Sequence, residues 1–65
     1  MPKTPVDVLK MALEREKDAV QYYKEYALSA ENPSIKEMFV FLVEEEKGHV
    51  KMLQEELEKE IYQEN

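Results

Sequence analysis

Apolar residues recur along this chain with the period of an α-helix, in two long runs separated by a single break. In the first run Val6, Leu9, Leu13, Val20, Tyr23 and Ala27 fall three, four or seven residues apart. In the second, Ile35, Met38, Leu42, Val50, Leu53 and Leu57 fall three, four or eight residues apart, also close to whole helical turns. On a helix turning about 100° per residue, each set lines one face. The break is Glu31-Asn32-Pro33-Ser34. Proline pushes Asn32 out of the α region, so the first helix must stop there, and Asn32 itself is a good cap for the second. Ser34 with Glu37 offers an alternative capping box one register later. Thr4-Pro5-Val6-Asp7 reads as a helix start, with Thr4 as cap, proline at the first helical position and Asp7 reaching back. The pattern predicts helices over about residues 5–30 and 33–62, joined by a loop of roughly two residues. A loop that short makes antiparallel neighbours.

The apolar face of each helix is broad. Val8 and Tyr26 belong to the first face, and Phe41 and Met52 widen the arc to about 160–200°, more than one neighbouring helix covers. Each helix therefore needs two neighbours, and one hairpin supplies only one. The expected fold is all-α: residues 1–65 form a single domain, an antiparallel two-helix hairpin that dimerises into a four-helix bundle.

Composition narrows the chemistry. A 65-residue chain is small for a self-sufficient core and ordinarily needs a staple, a metal or a partner subunit. With no cysteine, disulfides and thiolate-bound metals are excluded, which leaves a metal held by other ligands, or oligomerisation. The net charge of −6 argues against nucleic-acid binding, which needs a basic stripe. No apolar run approaches the length of a membrane span. Met1-Pro2-Lys3-Thr4-Pro5 lacks a hydrophobic signal region, so the expected location is the cytoplasm.

Two glutamates interrupt the apolar registers. Glu16 falls near the middle of the first face and Glu46 close to the centre of the second, with His49 one turn beyond it. Measured from the bend, Glu16 lies about 24 Å along its helix, and Glu46 and His49 about 21–26 Å along theirs. All three are level and all point inward. An unpaired carboxylate in an apolar interior is costly, and Lys17 and Lys47 point well away from the centre. A divalent cation resolves this, since carboxylate and imidazole together suit transition metals. A two-fold dimer brings two copies of each residue together. This is the ligand set of di-iron and di-manganese carboxylate bundles.

Glu16-x-x-Ala19-x-x-x-Tyr23, followed by Glu46-x-x-His49, resembles the rubrerythrin-type branch of the ferritin-like superfamily. The stretch from Ala12 to Tyr23 is similar to the first metal-binding helix of that family. A half-bundle per chain, with about thirty residues between the two glutamates, is especially similar to the encapsulated ferritins. The resemblance implies a ferritin-like four-helix bundle with a di-iron centre. It implies Glu16 as a terminal ligand, Glu46 as a bridging one and His49 as a terminal nitrogen ligand. It places Tyr23 beside the centre as a hydrogen-bonding or redox neighbour. Asp18 matches one of the outer acids that guide iron inward, whereas Arg15 stands where another is expected. The implied activity is oxidation of Fe(II) by O2 or peroxide, with iron or peroxide detoxification as its purpose. An encapsulin lumen is the alternative location, although no targeting tail follows the second helix before Glu64-Asn65. Without a cysteine-ligated iron domain, a peroxidase of this kind needs an external reductant.

Taken singly, Glu16 and Glu46 read as solvated charges, His49 as a boundary histidine and the tyrosines as interface aromatics. Two further readings therefore stand beside the ferroxidase. One is a helical-hairpin dimerisation module without catalysis. The other is a structural or storage site holding zinc or manganese in the same ligands.

Overall fold

The computed structural model describes residues 3–63, with side chains to residue 60. Two helices, α1 (Pro5–Ser29) and α2 (Pro33–Gln63), pack against each other as an antiparallel hairpin. The expectation for the ending Glu64-Asn65 lies outside the described residues.

The local chemistry of both starts is that of the sequence pattern. At α1, the Asp7 backbone N–H donates to Thr4 Oγ1 at 3.1 Å and the Thr4 N–H donates to Asp7 Oδ2 at 3.1 Å. Each satisfies a backbone donor that the helix leaves unpaired. At α2, Asn32 Oδ1 accepts from Ser34 N at 2.8 Å and from Ile35 N at 3.2 Å. Of the two caps open to α2, the structure uses Asn32. The α1 end is closed by the Ala30 N–H donating to the Tyr26 carbonyl at 2.9 Å, after which Ala30 turns to extended backbone.

The hairpin measures 50 × 23 × 11 Å, a slab one helix thick. That thickness limits burial. Among the described residues only Ala27, Val43 and Leu57 fall into the buried class. Both helices turn these buried and half-buried positions toward each other and leave the flank of each apolar arc uncovered. Tyr26, on the broad α1 face, is 51 % exposed, and Met38 on α2 is 57 % exposed. The reason is geometric: one neighbour covers only part of an arc this wide.

Most of the uncovered apolar residues gather on one side, Leu28 and Val40 being on the other. On each helix, Val8, Tyr22 and Tyr26 of α1 and Met38, Phe41 and Met52 of α2 lie round from Glu16 or Glu46 in the same rotational sense. In an antiparallel pair, the same sense on both helices points to one side of the slab. His49 lies on that side too.

Candidate metal centre

Halfway along the slab, α1 and α2 each turn a glutamate toward the seam. Glu16 and Glu46 are half-buried, while His49, one turn after Glu46, is exposed. His49 Nδ1 lies 3.2 Å from Glu46 Oε1 and 3.4 Å from Glu16 Oε2. One ligand atom from each of the three residues lies within 4.8 Å of the other two. The level placement read from the sequence is thus met by side-chain convergence.

The electrostatics of the cluster are those of two like charges held together. The Glu46 carboxyl is pushed above its ordinary value of 4.5, first by a shared hydrogen bond with Glu16, then by burial and by the Glu16 charge, with His49 opposing. The nearby lysines do not offset this. Lys17 pairs with Glu14 at 3.9 Å and Lys47 with Glu44 at 3.7 Å, both on the solvent side. Two carboxylates and one imidazole are a donor set that fits a divalent transition metal, and such a cation would relieve both carboxylates at once. Three donors do not complete a coordination sphere. His49, the most exposed of the three, lies toward the uncovered apolar side, from which water or a second chain could supply further ligands.

Tyr23 is not among the converging donors. It lies two turns from Glu16 and stacks on Phe39 of α2, with ring centroids 6.2 Å apart. Tyr26 approaches the same Phe39 at 5.5 Å, and Tyr22 stacks on Tyr26 at 6.4 Å. These aromatics lock α1 to α2 between the cluster and the bend. Phe39, which no motif in the sequence singles out, is the α2 ring that both Tyr23 and Tyr26 meet across the seam. Asp18 stays outside the cluster, on the outer side of α1 with Gln21, Tyr22 and Glu25.

No helix among the described residues is long and apolar enough to cross a membrane. No curated protein and no solved structure matches the chain. The family model for Rubrerythrin matches residues 7–65, nearly the whole length and both helices that carry Glu16, Glu46 and His49. On that match, this hairpin belongs to the rubrerythrin family of the ferritin-like superfamily.

Proposed function

We propose that two copies of this hairpin form a four-helix bundle around a di-iron carboxylate centre that oxidises Fe(II) with O2 or peroxide. The observation that carries this reading is the convergence of Glu16, Glu46 and His49 in a chain of the rubrerythrin family. Fe(II) is the substrate, and the bound iron pair supplies the redox chemistry, passing electrons to the oxidant. The chain supplies the rest. Glu16 and His49 would act as terminal ligands and Glu46 as the bridge, four carboxylates and two imidazoles in all for a dimer. Anionic oxygen ligands favour the ferric state, so fixed carboxylates lower the cost of oxidation. To ligate, His49 would offer one ring nitrogen and leave the other free for a hydrogen bond that orients the ring. Tyr23, held by Phe39, would act beside the centre as a hydrogen-bond donor or redox neighbour.

The same geometry supports dimerisation. The uncovered apolar side carries His49. Pairing two such sides buries the exposed residues and brings two half-sites together. Chelator-stripped Glu16→Ala and His49→Ala proteins, reloaded with Fe(II) in air, should oxidise iron no faster than buffer while keeping their helical circular dichroism. Wild-type rates in both would exclude the site. The same ligands holding zinc or manganese without redox turnover would appear as a tightly bound metal with no oxidation.

A further inference from the structure

The side of the hairpin away from His49 carries a different pattern. The chain has nine basic residues in a protein of net charge −6. Lys10, Lys17 and Lys24 of α1 and Lys36, Lys47 and Lys51 of α2 all lie about 80–140° round from Glu16 or Glu46 in one sense. His49 and Met38 lie about 60–80° round in the other sense. All six lysines are exposed. In the antiparallel pair they form two rows along the same side of the slab. Lys17 and Lys47 are level, each fifteen residues from Asn32, and with Val20 and Val50 they line one cleft between the helices. Val20 and Val50 are half-buried at its floor. Toward the bend the strip continues through Leu28, 82 % exposed, and Val40, 50 % exposed. Glu58 is the one acid of the described residues at these angles, and Glu14 and Glu44, about 160° round, flank the strip and pair with Lys17 and Lys47.

We infer that this face is a docking groove for an acidic amphipathic helix of a partner protein. The recurrence of Lys10, Lys17 and Lys24 every seven residues is the repeat at which a helix lying along the groove presents its flanking charges. An aliphatic seam on that helix covers Val20 and Val50, and its flanking carboxylates meet the two lysine rows. The chemistry selects against the other occupants. A second copy offering this same side sets lysine against lysine, so the face also keeps two hairpins from pairing the wrong way round. A flat lipid surface would meet the protruding Leu28 and Val40 but not Val20 and Val50, which are recessed between the lysine stems and are reached only by a narrow apolar ridge such as one helix presents. This assignment is independent of the metal centre, whose His49 lies on the opposite side.

The test is fluorescence anisotropy of the full chain with a labelled peptide of about three heptads, leucine at the seam positions and glutamate on both flanks. A scrambled peptide of the same composition serves as control. The expected result is binding that weakens with added salt and is about tenfold tighter for the amphipathic peptide than for its scramble. It should fall about tenfold further in Lys17→Glu/Lys47→Glu. Because Lys17 and Lys47 also pair with Glu14 and Glu44, Lys10→Glu/Lys24→Glu provides a second variant outside those pairs, and it should show the same loss. Equal binding of the scramble, undiminished binding by both variants, or capture by phosphatidylserine vesicles in preference to the peptide would each overturn the assignment.

Discussion

Two carboxylates within reach of one imidazole nitrogen repel each other until a cation sits between them. Because Glu46 is raised above 4.5 in the folded chain, the folded state holds more protons than the unfolded one between 4.5 and that raised value. Stability therefore falls as pH rises through that window, and the full penalty remains above it. In metal-free protein, Glu46→Gln should be more stable than wild type at neutral pH, and the difference should shrink to nothing below pH 4.5. Thermal melts across pH check this. A metal-free Glu46→Gln that melts below wild type at neutral pH would contradict the repulsion. The same substitution should abolish any rise in melting temperature on adding a divalent metal. At this scale the sequence carried much of the candidate site. Glu16 and Glu46 sit where the apolar registers demand a leucine, and that misfit is visible without coordinates. The part Phe39 plays was not visible, because an aromatic at a core position gives no sign of which ring across the seam it will meet.

The helices owe their limits to a few polar side chains. Thr4→Ala removes the acceptor for the Asp7 N–H and should cost about 1 kcal/mol in urea unfolding. The Asp7 carboxyl is held below its ordinary 3.8 by its hydrogen bonds to Thr4. Its contribution is therefore present above that value and lost as pH falls through the folded value, opposite in sign to Glu46. Gly48 is the counter-case. A Cβ there meets nothing within 4 Å in the hairpin, so Gly48→Ala should gain about 1 kcal/mol from helix propensity alone. A loss on substitution would show that another chain approaches closely at that point. Both helix starts were legible because caps are local. The choice of Asn32 over Ser34 was not, since both fit the same few residues and only the turn geometry separates them.

For the molecule as a whole, burial is the deciding quantity. A slab one helix thick cannot cover Tyr22, Tyr26, Met38, Phe41 and Met52, and they gather on one side with His49. If two such sides pair, the melting temperature should rise with protein concentration, because assembly and folding are then linked. Met38→Glu should yield monomers by sedimentation and weaken metal binding together with assembly. A concentration-independent melt would separate the half-site from any partner copy. The width of the apolar arcs made the need for a second neighbour legible, but arc width alone does not say which side is covered. The segregation of lysines to the other side was also in the sequence, spread over both helices. It becomes visible only when the antiparallel register sets Lys17 beside Lys47.

An aerobic Fe(II) titration of metal-free protein, followed by the ferric absorbance rise, decides whether two chains share an oxidising iron site. A site shared between two chains predicts fast oxidation that saturates near about one iron per chain. Oxidation no faster than in buffer would contradict it.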